Sequence, residues 1–470
     1  MEMRIQTAFY ACVGAFLLSA GGCGGAGGDG NKARGDDDKP ARKNVLLIVL
    51  DTVRRDKLGC YGSELGATPR IDEFAERGAV FERAYSHAPW TLPATASLLT
   101  SQYPPQHGAG GSVPNFRRLP ERARTAAECF RDAGYATAEV VNVDFLAGSF
   151  GMTQGFEHVD FKAYPSNVQV RPAAPTTDAA IEWLETRGER PFFLLVHYFD
   201  AHLVYAPPAE FRKKFADVRD REDDSWIFGT RRQIVGYRQG KVNFGERTIR
   251  RAERLYNGEI AYVDQEVGRL LDALGEMRLD GSTIVALTAD HGEEFLDHGG
   301  FEHGHTLYDE LVGVPLIIRD AAGGDGRRVK TRVGHVDVTP TLCELAGVTA
   351  DPAFVGRSLV DLMNGVQTDE RPIVLEGNFW GKSMRGWLSG AFKLIQRADL
   401  AIELYAINGD RRERNNLAES NAELVTRLTA EMELAFERMA TGKGEEADLT
   451  HDELERLKSL GYAGGEDEGD

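Results

Sequence analysis

Short uninterrupted apolar runs recur along the chain, with helix-period segments between them. Residues 44–50 read NVLLIVL, continuous and rich in β-branched side chains, which is the pattern of a strand buried on both faces of a parallel sheet. Comparable runs fall at 136–141, 192–199, 283–288 and 314–318. Helical periodicity occupies 71–77, 94–99, 123–133, 177–187, 249–277 and 338–346. This alternation predicts an α/β fold, a large, mostly parallel sheet flanked by helices, with its functional residues beyond the carboxyl ends of the strands. The stretch 217–247 is polar, charged and weakly periodic, and reads as a surface excursion near the site. Around 364–371 the pattern changes. Short strand-like pieces at 372–376, 382–388, 392–396 and 402–406, then a helix at 422–439, predict a small C-terminal antiparallel sheet plus helix subdomain.

Composition narrows the partners. The 470 residues carry 55 Lys+Arg against 73 Asp+Glu, a formal net charge of −18. Nucleic acid is excluded as a partner, because phosphate binding needs a surplus of Lys and Arg. Hydrophobic residues at 42% and charged residues at 27% allow a sizeable core and exclude wholesale disorder. The five cysteines, Cys12, Cys23, Cys60, Cys129 and Cys343, form no CxxC pair, so neither a disulfide framework nor a Cys-rich metal site is indicated.

The N-terminus points to export. Residues 7–20 (TAFYACVGAFLLSA) are shorter than the roughly 20 residues of a membrane span and have the length of a signal-peptide core. They run into Leu17-Leu18-Ser19-Ala20-Gly21-Gly22-Cys23, which resembles a bacterial lipoprotein signal with Cys23 lipidated, although Ala20 stands where leucine is usual. An ordinary cleaved signal is the alternative. The expected organisation is a signal peptide at 1–22, a flexible Gly/Asp-rich tether at 23–43, a catalytic domain at 44–365, the C-terminal subdomain at 366–462 and an acidic tail at 463–470. The cell envelope is the expected location, with membrane attachment by the lipid anchor only.

Polar residues just past the strand ends carry the chemistry. Asp51 ends the first strand, and Asp290-His291-Gly292 follows TIVALTA. Aspartates at strand ends usually cap turns, but neighbouring parallel strands end side by side, so these groups can also converge on a divalent cation. In PWTLPATASLLT, Thr91 opens a helix with Pro93 in its first turn, where proline is tolerated. Threonine there is commonly a cap. The same position, at the positive end of a helix, also suits a hydroxyl that attacks an anionic group.

The order of these motifs resembles the sulfatase family of the alkaline-phosphatase superfamily, over nearly all of residues 44–462. The carrying segments are NVLLIVLDTVRRDKLGCYG, TLPATASLLTSQYPPQHG, LYNGEIAYVDQEVGRLLDAL with TIVALTADHGEEF, HTLYDELVGVPLII, HVDVTPTLCELAGV and KLIQ followed by ELYAINGDRRERNNLA. The resemblance implies Asp51, Asp290 and His291 as ligands of one divalent cation, Ca2+ foremost, with Mg2+, Mn2+ or Zn2+ as alternatives. It implies Thr91 as nucleophile and His202 as the histidine that contacts the anion or protonates the leaving group. His197 and His305 follow as substrate-binding candidates, and His87 and His107 as structural. Asp200, His202 and His305 offer donors for a second cation, but their spacing is not diagnostic.

Four departures matter. Thr52 stands where many members have a second aspartate. Thr95 replaces an arginine, and 139–144 reads EVVNVD where a lysine motif is usual. Thr91 replaces the Cys or Ser that becomes formylglycine, and oxidising a secondary alcohol gives a ketone, never that aldehyde. The expected activity is a metal-dependent hydrolase of a sulfate or phosphate-type ester on a small molecule or glycan. The alternatives are a phosphodiester or phosphonate hydrolase or phosphotransferase using Thr91 directly, and a catalytically inactive binding protein on the same fold. Oligomeric state is not encoded in any of these patterns.

Overall fold

The computed structural model describes residues 42–112, 115–162, 170–215, 227–377, 379, 383–399, 401–439, 442, 444–460 and 462. The signal peptide, Cys23, all but the last two residues of the tether and the acidic tail lie outside them.

Eight strands form the main sheet: β1 (Asn44–Leu50), β2 (Ala79–Phe81), β3 (Ala136–Val141), β4 (His158–Phe161), β5 (Phe192–Tyr198), β6 (Thr283–Ala289), β7 (Leu316–Arg319) and β8 (Arg328–Val329). Their spatial order is β8-β2-β7-β6-β1-β5-β3-β4. β1 pairs in parallel with both β5 and β6, and all seven of its residues are buried. Burying each of its large aliphatic side chains contributes about 1.5–3 kcal/mol, which is why the run is continuous rather than alternating. The apolar run at 314–318 gives a strand that opposes its neighbours. β7 pairs antiparallel with both β6 and β2; the segment that joins β6 to β7 carries a small hairpin and the four-residue helix Asp309–Val312, with no long crossover helix.

Helices cover the sheet. Three of them position the site or its walls: α1 (Thr91–Thr100), α2 (Ala173–Thr186) and the long α3 (Glu246–Glu276). Every residue of α1 is buried, and its small Ala, Thr and Ser side chains let its backbone approach its neighbours closely. Beyond it, β9 (Ile373–Gly377), β10 (Met384–Ser389), β11 (Phe392–Arg397) and β12 (Ile402–Ala406) form a four-stranded antiparallel sheet, with α4 (Ala422–Arg438) packed on it.

The chain then leaves this small sheet. Residues 445–446 pair with Asn115–Arg118, and α5 (His451–Ser459) packs beside Asp144 and Ser149 of the large unit. The segment expected to finish the C-terminal subdomain therefore ends against a small separate sheet and the turns that follow β3. The described residues from Arg42 onward form one unit. Among the described residues, no helix is long and apolar enough to cross a membrane.

Candidate active site

Register brings the strand-end groups together. Val49 is level with His197, and Leu50 with Ala289. The ladder then continues one step on each side, with Asp51 N–H donating to Tyr198 O (2.8 Å) and Asp290 N–H to Leu50 O (3.3 Å). Asp51, Asp290 and His197 thus share one buried patch at the carboxyl ends of three adjacent parallel strands. One ligand atom from each lies within 4.8 Å of the others. Gly292 follows because a Cβ there would sit 2.0 Å from the Glu310 carbonyl oxygen.

The polar groups of this patch are buried and largely unpaired. Asp51, Asp290, His197, His291 and Thr91 are all 0% exposed. Among the described residues, neither oxygen of Asp51, nor Asp290 Oδ2, nor either ring nitrogen of His197 has a hydrogen-bond partner. Burial first, and the Asp290 charge second, raise the Asp51 carboxyl well above the usual carboxylate range. Burial pulls the His197 imidazole down to about 4, so it is a neutral donor. His291 Nδ1–H donates to Gly292 O (2.9 Å), which leaves the Nε2 lone pair facing inward. That nitrogen is 3.4 Å from Asp290 Oδ2, 3.9 Å from Asp51 Oδ1 and 3.3 Å from Thr91 Oγ1. Unpartnered buried carboxylates beside the neutral His197 imidazole fit a divalent cation, and leaving them bare is costly.

Thr52 departs from ordinary backbone geometry at φ 56°, a strained region for a β-branched residue. The strain turns its N–H onto Asp290 Oδ1 (3.2 Å), while its own hydroxyl is buried without a partner. Thr91 is the first residue of α1, and its Oγ1 reaches His291. His202 donates from Nδ1 to Leu203 O (2.8 Å) and accepts at Nε2 from the Tyr462 hydroxyl. Burial holds its pKa well below the imidazole norm. In this form His202 is a neutral acceptor, whereas a residue that protonates a leaving group must carry a proton to give.

The other expected residues divide. His197 sits among the carboxylates, not at a substrate surface. His305 turns away and pairs with Glu294 (2.8 Å); burial lowers its pKa, but the Glu294 hydrogen bond and charge, with smaller contributions from His303 and Glu302, leave it raised. From the same glycine-rich tract it is His303 that reaches the centre, with its ring centroid 4.5 Å from that of His291. His303 is held by Glu293 (3.0 Å), which accepts in turn from Tyr205 (2.8 Å). Burial raises the Glu293 carboxyl to about 8. His87 and His107 are tied to Val374 O (2.8 Å) and Ser97 (3.1 Å), in structural positions.

Asp200, His202 and His305 form no second donor set. Asp200 Oδ1 accepts from Ala173 N–H (2.9 Å), and His202 and His305 are engaged as described. A different group, Glu294, His298 and Glu310, has ligand atoms close together. Protein hydrogen bonds already occupy it, with His298 bridging Glu310 (2.5 Å) and Glu413 O (3.0 Å). Residues 217–226 of the polar excursion lie outside the described residues. The rest of it enters the site's surroundings, with Phe228 bridging to Tyr205.

A helix-borne hydroxyl facing strand-end carboxylates and imidazoles, on a sheet of this topology, defines an α/β ester hydrolase. The sulfatase family model matches residues 43–348, and the chain belongs to that family. It is 26% identical over 423 residues to a Δ4,5-hexuronate-2-O-sulfatase of Bacteroides thetaiotaomicron, covering 80% of this chain and 85% of that one. A phosphonate monoester hydrolase of Agrobacterium radiobacter shares the fold at TM-score 0.69 and 22% identity, over 84% of this chain and 95% of that one. A protein solved with its substrate D-glucosamine-2-N,6-O-disulfate does so at TM-score 0.70 and 21% identity, over 86% of this chain and all of the other.

Proposed function

We propose that the protein is a metal-dependent hydrolase of a monoanionic tetrahedral ester, a sulfate ester or a phosphate-type diester or phosphonate, with Thr91 as the nucleophile. The observation that carries this reading is Thr91 Oγ1 at 3.3 Å from His291 Nε2, beside buried carboxylate oxygens without partners. Asp51, Asp290, His291 and His197 would hold the cation. Bound there, it would lower the pKa of the Thr91 hydroxyl and offset the charge of the transferred group. Two carboxylates and one divalent cation sum to zero, so a single negative charge on the substrate is balanced by the N-terminus of α1.

Thr91 Oγ1 bonds to the central sulfur or phosphorus as the bond to the leaving oxygen breaks. The proton lost by Thr91 is the one the departing alkoxide gains. Water then attacks the same central atom as the bond to Thr91 Oγ1 breaks; neutral His202 takes the water's proton and returns it to the departing Thr91 oxygen, which restores both groups.

Thr91 itself favours the phosphodiester or phosphonate form of the reading. Without an aldehyde hydrate that can collapse, the covalent ester must be resolved by attack at its central atom, a route that threonine phosphoesters support. A glycan ester is one candidate for the organic part, as bound by the disulfated-glucosamine neighbour. Lipidation at Cys23 would tether the enzyme at the cell envelope, and metabolic labelling with a fatty acid that fails in Cys23→Ala would bear this out.

The test is a panel of 4-nitrophenyl sulfate, 4-nitrophenyl phosphate, bis(4-nitrophenyl) phosphate and an aryl phosphonate, each with Ca2+, Mg2+, Mn2+ or Zn2+. Turnover that disappears in Thr91→Ala supports the reading. Inertness of every pair overturns it in favour of an inactive binding protein.

A further inference from the structure

Tyr462 stands where a substrate would have to stand. Its ring is 2% exposed, lies 4.8 Å from Phe145 and 5.7 Å from Phe379, and aims its hydroxyl into the catalytic centre. That hydroxyl donates to His202 Nε2. Burial and the charges of Asp51, Asp290 and Glu293 hold the phenol protonated, against a smaller opposing effect of the adjacent Thr91 hydroxyl. The phenol oxygen therefore sits on the histidine of the centre, beside His303, where an ester's leaving oxygen would have to stand. With it in place, Thr91, Asp51, Asp290 and His291 are all 0% exposed.

The segment that delivers Tyr462 is fastened at the surface. Arg456 grips Asp144 through Nε (2.9 Å) and Nη2 (2.6 Å), Glu453 accepts from Ser149, and Leu457 is fully buried. These are few contacts for a closing element, and such elements come from the less stable end of a fold. On the far side of His202 is a cavity of about 490 Å3. Phe199, Asp200, Glu259 and His202 line it together with Ser459 and Leu460 of this same segment. Space for an organic group thus already exists next to the centre, and the segment is part of the partition.

We propose that α5 and Leu460, together with Tyr462, act as an autoinhibitory strap, with the Tyr462 phenol as a built-in mimic of a leaving group. Release of the strap joins the cavity to the centre and exposes Thr91. This rests on Thr91 being the reacting position. In the closed form, apparent substrate affinity is reduced by the fraction of molecules that are open.

Access can be measured without turnover. A small thiol reagent is applied to Thr91→Cys, and labelling at position 91 is followed by peptide mass spectrometry, which separates it from the five native cysteines. Two further variants carry Thr91→Cys with Tyr462→Ala or with Arg456→Ala, and circular dichroism checks that each is folded. The expected result is at least tenfold faster labelling in both. Arg456→Ala leaves the phenol intact and loosens only its anchor. Acceleration with Tyr462→Ala alone would indicate a hole where a ring had been, not a strap that moves, and overturns the proposal. Unchanged rates in both variants overturn it as well. Labelling needs neither metal nor chemistry, so this outcome is independent of whether any ester is hydrolysed. If the panel above shows turnover, releasing the strap raises kcat/KM on the same substrate.

Discussion

Asp51→Asn gives opposite signs with and without metal, which makes it the sharpest test of the site's electrostatics. In the metal-free protein, ligand atoms of Asp51 and Asp290 lie within 4.8 Å of each other, and both side chains are buried. Two unit charges at that separation repel by about 3 kcal/mol at an effective dielectric of about 20. Burial and Asp290 raise the Asp51 pKa above its unfolded value, so stability is full below the unfolded pKa and is lost as pH rises. Asparagine keeps the shape and removes the charge. At pH 8 in chelator, Asp51→Asn is therefore expected to melt above the native protein, by up to about 3 kcal/mol. Adding a cation at about 100 times its Kd stabilises the native protein by about 2.7 kcal/mol. The variant, with a ligand charge gone, should respond far less. At roughly 2–4 °C per kcal/mol for domains of 150–250 residues, and less for larger units, both effects are visible in scanning calorimetry. The reasoning is refuted if Asp51→Asn melts below the native protein in chelator, or if Ca2+, Mg2+, Mn2+ and Zn2+ all leave the native melting temperature unchanged.

Other expectations follow from single side chains. Thr91→Ser should keep measurable turnover, whereas Thr91→Ala should lose roughly 10^3-fold or more in kcat, as removal of a covalent nucleophile does. Glu139 is 1% exposed with an unpartnered Oε1, and burial alone raises its pKa well above normal, so stability falls as pH rises above the unfolded pKa. Glu139→Gln should therefore flatten the decline of melting temperature between pH 5 and pH 8, read against the native protein in the same buffers. Lys393 and Glu413 form an ion pair at 2.8 Å with side chains 0% and 1% exposed. Lys393→Met should cost about 3–5 kcal/mol in urea denaturation, and Lys393→Met with Glu413→Gln should recover most of it, because the penalty is the stranded charge.

The sheet was legible because strands buried on both faces need unbroken apolar runs, and helices between them need a 3.6-residue period. The direction of β7 was not, since a short buried strand reads the same whichever way it runs. The four-strand C-terminal sheet was legible from its Gly, Asp and Asn breaks. At the site, Asp51, Asp290 and His291 were readable because each follows directly on a strand. His303 and His305 share one glycine-rich tract, and only the path of the backbone decides which imidazole turns inward. Tyr462 lies at the far end of the chain, after a helix rich in charge, and nothing local marks it as part of a centre that begins at residue 51.

The position of β1 has a consequence for how the chain is made. Its neighbours are β5 at 192–198 and β6 at 283–289, so the first strand to be synthesised is flanked only by late ones. At about 5–20 residues per second, its six consecutive apolar residues wait roughly 10–50 s for the second of their two partners. Until then NVLLIVL is an unpaired, uncharged strand of the kind that aggregates. Yield in a foreign host should therefore depend on keeping that segment covered during synthesis, through slower growth or a holding chaperone, more than on the stability of the finished fold.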